Sequence, residues 1–160
     1  MPRLRVGLRR HGRHERPPRL AAGSHRSAKH GGYRLSNSGL ILFAHGARDP
    51  RWAAPFEAVA QRVRAQRPNV AVRLAFLEFM APDLTQAGAE LASLGCTRVA
   101  VVPLFLGAGG HVRKDLPLLL ETVRGRHAGT RFTLHPAIGE VDAVVDAMAL
   151  AAAAALEAAA

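Results

Sequence analysis

The chain has 160 residues, 49% of them hydrophobic, and a single cysteine. That length suits one domain with a real core, no apolar run approaches the ~18–20 residues needed to cross a bilayer, and a lone cysteine excludes an internal disulfide and fits a reducing cytoplasm. The net charge of +10 is unevenly spread: residues 1–38 carry ten basic groups against Glu15, a net of +9, and the other 122 residues carry +1.

Residues 1–38 show no sustained period of 2 or 3.6 and are rich in Arg, His, Gly, Ser and Pro. Such a composition buries too little apolar surface to offset chain entropy, which predicts a disordered basic N-terminal extension, and it lacks the apolar core of a secretory signal. Its charge suits nucleic acid, and His11, His14, His25 and His30 suit metal capture. Tyr33 is its one aromatic residue, so base stacking has almost nothing to work with. The expectation is an incidental extension, with no nucleic-acid partner.

From Gly39 to the end an α/β domain is predicted. GLILFA is a continuous apolar run, as in a strand buried on both faces. The loop HGARDP follows, then a helix with Trp52, Phe56, Val59 and Val63 on one face and Arg62, Arg64 and Arg67 outside it. Pro68-Asn69 ends that helix. Val70–Leu77 reads as the second strand, with Glu78 at its end. Pro82 suits a first helical turn, Asp83–Leu94 reads as the second helix and Gly95 as its C-cap. Cys96, in the turn that follows, reads as structural. Thr97–Leu106 is the third strand, Gly107–Gly110 a glycine-rich turn, and Lys114–Arg126 a helix burying Leu116, Leu119, Leu120 and Val123. His127, at that helix's end, favours the dipole and is read as structural. Arg131–Leu134 begins a fourth strand running toward Ile138. An alanine-rich helix from Glu140 to about Ala159 carries Val141, Val144, Val145 and Met148. Four strands alternating with four helices imply a three-layer α/β/α domain with a four-stranded parallel sheet and right-handed crossovers. No G-x-G-x-x-G follows the first strand and no G-x-x-x-x-G-K-[ST] occurs, so no nucleotide is expected.

His45, Glu78 and His111 follow the first, second and third strands, each 33 residues from the next. All strands of a parallel sheet end on one edge, where ligands bind, so three side chains distant in sequence can converge there. Two imidazoles and a carboxylate suit a divalent first-row metal with an open coordination position. Spacing alone leaves a second reading open, in which the histidines cap nearby helices and Glu78 is a solvated strand end.

The runs LILFAHGARDP, AFLEFMAPDL and VVPLFLGAGGHVRKDLP resemble the small-type sirohydrochlorin cobaltochelatases, short members of the ATP-independent (class II) tetrapyrrole chelatases. The resemblance covers about Gly39 to Leu150. It implies the strand order 2-1-3-4 and a chelatase-like fold. It also implies that His45 and His111 bind metal and assist deprotonation, and that Glu78 takes the acidic position of the F-L-E segment. Ala47 departs from the pattern, standing where many members have serine. His135 belongs to no motif of the family. The implied reaction inserts a divalent metal, Co²⁺ before Fe²⁺ or Ni²⁺, into sirohydrochlorin. A neutral imidazole holds a metal or accepts a proton near neutral pH, and a carboxylate lowers the site's charge and relays protons. The amides of Gly107–Gly110 suit the substrate's carboxylates; Arg113 and Lys114 read first as solvated surface groups. The rival readings are a metal or tetrapyrrole carrier without turnover, and a nucleic-acid binder using the extension. One sheet edge supplies one wall for a wide, flat ligand, and longer chelatases resemble two such domains. A cytoplasmic homodimer without membrane association is therefore expected, its contact drawing on the last helix or on Phe79–Leu84.

Overall fold

The structure is a computed structural model that describes residues 36–107 and 109–157, without the side chains of residues 110–113 and 157. The expected disordered extension lies, through residue 35, outside the described residues. Four strands, β1 (Ser38–Ala44), β2 (Ala71–Phe76), β3 (Arg98–Pro103) and β4 (Arg131–Leu134), form one parallel sheet in the order β2-β1-β3-β4. Leu42 of central β1 pairs with Leu74 on one side and Val102 on the other. Pairing reaches back before Gly39. The Asn37 carbonyl accepts from the Thr97 and Arg98 N–H groups, and the Ser36 N–H donates to Asn69 O at 2.6 Å.

Helices α1 (Ala54–Gln66), α2 (Leu84–Ser93) and α3 (Gly110–Arg126) cover the sheet from both sides. Alternation along the strands sends Ile41, Phe43, Val99, Val101 and Phe132 to one face, where they meet Leu84, Ala87 and Leu91 of α2 and Leu116, Leu120 and Val123 of α3. Leu42, Ala44, Val72, Leu74 and Phe76 face the other way, against Phe56, Ala60 and Val63 of α1. Asp83 starts α2 with a capping box, its carboxylate accepting from Gln86 N–H while the Gln86 side chain accepts from Asp83 N–H. Gly95, at φ +80°, closes that helix.

The inner face of α1 differs from the one expected. Ala60 is fully buried while Val59 is 39% exposed, because a small residue at the contact lets the helix come close to the strands. Trp52 belongs to a preceding 3₁₀ turn (Pro50–Ala53) and packs on Phe56 with ring centroids 4.5 Å apart. Helix α3 starts at Gly110, four residues before the expected Lys114, with Gly109 as an extended N-cap. The fourth strand stops at Leu134, and Ile138 enters a second 3₁₀ turn (Ile138–Glu140).

The last helix, α4 (Asp142–Glu157), forms as expected but does not bury its apolar side. Val144 is half-buried and every other residue of α4 with a described side chain is exposed. The turn before it is fixed to the loop after β3, since Gly139 N–H donates to Phe105 O at 3.0 Å. The chain therefore leaves the sheet edge in a set direction, and among the described residues α1 covers the second face, over β1 and β2.

Candidate functional site at the carboxyl edge of the sheet

Sequence parity explains the position of His45. Residues 41, 43 and 45 share one face of β1 and its continuation, as 99, 101, 103 and 105 do along β3. The half-buried His45 ring therefore lies beside Phe105, with centroids 4.2 Å apart and planes tilted by 31°. Phe105 is buried and sits edge-on to Phe43 at 5.9 Å. The imidazole rests on an aromatic shelf anchored in the core.

Glu78 is tied to the same place through backbone. Pairing between β1 and β2 runs past both strands: Leu77 N–H donates to Ala44 O at 2.8 Å and Glu78 N–H to His45 O at 2.9 Å. This approach is close enough to require glycine at position 46. Gly46 has φ +91°, and a Cβ there would lie 1.9 Å from Glu78 O. The Glu78 side chain is exposed.

His111 is the second residue of α3, in the first turn of a helix whose N-cap supplies no side-chain hydrogen bond. Its side chain lies outside the described residues. The first-turn amide N–H groups of α3 face the edge reached by β1 and β3, a geometry suited to carboxylates. Among the described residues, no three His, Cys, Asp or Glu side chains gather as a metal cluster.

The loop after His45 is held locally. Asp49 accepts from Arg51 N–H at 2.9 Å and pairs with the Arg51 guanidinium at 2.8 Å. The guanidinium bond foremost, then the backbone bond, holds the Asp49 carboxyl below its ordinary range. Ala47, half-buried in this loop, offers no hydroxyl.

The CbiX family model matches residues 39–155, nearly the whole described domain. The chain belongs to the CbiX family. It is 34% identical over 82 residues to the sirohydrochlorin cobaltochelatase of Methanosarcina acetivorans, a match covering 51% of this chain and 63% of that protein. The chain thus spans less than two thirds of that relative's length. A crystal structure of a cobalamin (vitamin B12) biosynthesis CbiX protein from Marinobacter aquaeolei VT8 superposes with a TM-score of 0.67 at 33% identity, over 75% of this chain and 98% of that one. The sirohydrochlorin chelatase SirB from Bacillus subtilis subspecies spizizenii, in complex with cobalt, shares the fold with a TM-score of 0.62 at 24% identity, over 69% of this chain and 47% of SirB.

Two features of this CbiX-family chain were not anticipated from its sequence as parts of the site. In the sequence Phe105 reads only as part of the third strand, although its parity with His45 is a signal. Phe79 reads in the sequence only as part of a contact segment, Phe79–Leu84. It is 60% exposed and adopts φ +62°, a left-handed conformation that non-glycine residues rarely hold. The Arg48 guanidinium lies 5.5 Å from the centre of its ring. An exposed aromatic face and a cation therefore stand together beside Glu78.

Proposed function

We propose that this CbiX-family chain catalyses ATP-independent insertion of a divalent metal, Co²⁺ first and Fe²⁺ or Ni²⁺ as competitors, into sirohydrochlorin. The observation that carries the reading is His45, held at the carboxyl edge by the Phe105 ring and joined through its carbonyl to Glu78. Insertion removes two pyrrole protons and replaces water on the metal. His45 and His111 bind the incoming metal or accept those protons, since neutral imidazole does either near neutral pH. Glu78, exposed at the same sheet edge, lowers the charge of the metal complex and passes protons to water. Helix α3 and Arg48 receive the substrate's carboxylates, and Phe79 offers a flat face to the macrocycle.

The protein acts in the cytoplasm as a homodimer. One edge supplies one wall, and two-fold pairing is the commonest way to obtain a second. The chain matches 47% of SirB, a length ratio in keeping with two copies here standing for one longer chain. Residues 1–35 form a basic extension dispensable for the reaction, since pairing with the sheet begins at Ser36. The test is an insertion assay with purified protein and sirohydrochlorin, with Co²⁺, Fe²⁺ and Ni²⁺ side by side. Turnover above the uncatalysed rate supports an enzyme. Stoichiometric binding without turnover would replace this reading with that of a carrier.

A further inference from the structure

Phe79 stands where a phenylalanine is unfavourable on two counts. The chain reverses there within three residues: Met80 N–H donates to Glu78 O at 2.8 Å, closing a γ-turn whose centre, Phe79, has φ +62°. This hand of γ-turn is rare and strained for a residue with a Cβ, whereas glycine adopts it freely. The other positive-φ residues among those described are glycines, Gly46 and Gly95. The ring is also 60% exposed, while Met80, the next residue, packs against the core beside α1. Strained backbone of this kind clusters at ligand-binding sites.

Arg48 supplies a second, independent observation. Its guanidinium carbon lies 5.5 Å from the centre of the Phe79 ring. Arg48 is exposed, the adjacent Asp49 is engaged by Arg51, and no ion pair to Arg48 is seen among the described residues. The two loops are held in a fixed relation, since Glu78 N–H donates to His45 O and Gly46 packs against Glu78 O. Ring and cation therefore stand at the same sheet edge as His45 and Glu78.

We propose that Phe79 and Arg48 form an exchange clasp that selects macrocycles with acidic side chains. Arg48 covers the ring until a tetrapyrrole binds. Its guanidinium then moves to a peripheral carboxylate, and the uncovered ring stacks on the face of the macrocycle. The exchange is favourable because two contacts replace one: a bidentate guanidinium–carboxylate pair and ring stacking, for a single cation–π contact. A macrocycle without carboxylates must displace Arg48 with nothing to receive it. Phe79 and Arg48 thus read the periphery of the ligand, while His45 and Glu78 act at its centre. The inference rests on the tetrapyrrole reading above and adds to it the coupling between the two contacts.

The test is equilibrium binding to the full-length protein, without metal, of sirohydrochlorin and of a neutral porphyrin with polyether side chains, followed by macrocycle absorbance. Phe79→Gly removes the strain and the ring together. It should melt at or above the wild-type Tm, yet bind sirohydrochlorin about tenfold or more weakly. Phe79→Trp, which keeps a flat ring, should bind within about threefold of wild type. Arg48→Met separates the two macrocycles. It should weaken sirohydrochlorin by about tenfold and tighten the neutral porphyrin by about two- to fivefold, the size of an exposed cation–π contact that no longer has to be displaced. An Arg48→Met protein that does not tighten the neutral porphyrin, or a Phe79→Gly protein that binds sirohydrochlorin like wild type, would overturn the clasp and leave the tetrapyrrole reading standing. A Phe79→Gly protein that melts well below wild type would also overturn it, because Phe79 would then serve the fold. Wild-type protein that binds no sirohydrochlorin would overturn the tetrapyrrole reading itself, and the clasp with it.

Discussion

Replacing Gly46 by alanine tests the link between His45 and Glu78. An alanine at φ +91° costs about 1–2 kcal/mol in left-handed strain. The new methyl would lie 1.9 Å from Glu78 O, far inside the 3.0 Å limit of real Cβ contacts, so the β1 and β2 ends must part. Parting them breaks the bond from Glu78 N–H to His45 O, worth about 1 kcal/mol. Together these give about 2–3 kcal/mol, or a fall in Tm of roughly 8–12 °C for a domain of this size. Gly95→Ala is the control, because Gly95 sits at φ +80° with no atom within 4 Å of its Cβ position. It pays only the strain, about 1–2 kcal/mol. Circular-dichroism melts and Co²⁺ insertion rates are measured on both variants. Gly46→Ala should melt lower than Gly95→Ala and lose insertion activity, since it displaces both His45 and Glu78, while Gly95→Ala stays active. If Gly46→Ala is as mild as Gly95→Ala and fully active, the close approach at the sheet edge does not matter and the reasoning fails.

Three further outcomes are expected. Phe105→Leu keeps most of the core volume, so it should cost about 1 kcal/mol, yet lower the insertion rate by about tenfold by freeing the His45 ring; an unchanged rate would show that the ring does not position His45. A protein beginning at Ser36 should melt like the full chain and keep its activity, because pairing with the sheet starts there; aggregation or a much lower Tm would show that earlier residues pack on the domain. Cys96 is buried, and burial pushes its thiol above the ordinary range against a smaller opposing pull from Arg73, so it should resist alkylation in the native protein and react promptly in denaturant; rapid native labelling would contradict the packing described for it.

The elements most legible in the sequence were those whose residues carry their own local signal. GLILFA announced a buried central strand because both of its faces are covered. Gly95 marks the end of α2 through a positive φ, whereas Pro82, expected in the first helical turn, lies before the helix because Asp83 caps it through Gln86. Strand-to-helix alternation yielded the parallel sheet, whereas the order 2-1-3-4 came from family resemblance, since strand order is a matter of non-local pairing. Tertiary choices were less legible. Which of Val59 and Ala60 faces the sheet depends on how close α1 approaches. Whether the stripe of α4 is buried depends on the bonds of Gly139 to a loop more than thirty residues earlier. At the site, His45 and Glu78 were found as strand-end residues, but the contact between them runs through backbone and a glycine rather than through their side chains. Phe105 was hidden because a phenylalanine in an apolar run reads as core, and here it is both core and the support of an imidazole.

The most direct measurement compares the rate of Co²⁺ insertion into sirohydrochlorin by wild-type protein, His45→Ala and His111→Ala, each first verified as folded. The account predicts catalysis by the wild type and a loss of at least about a hundredfold in each variant, the scale on which a positioned acid–base group contributes. Near wild-type turnover by either folded variant would contradict it.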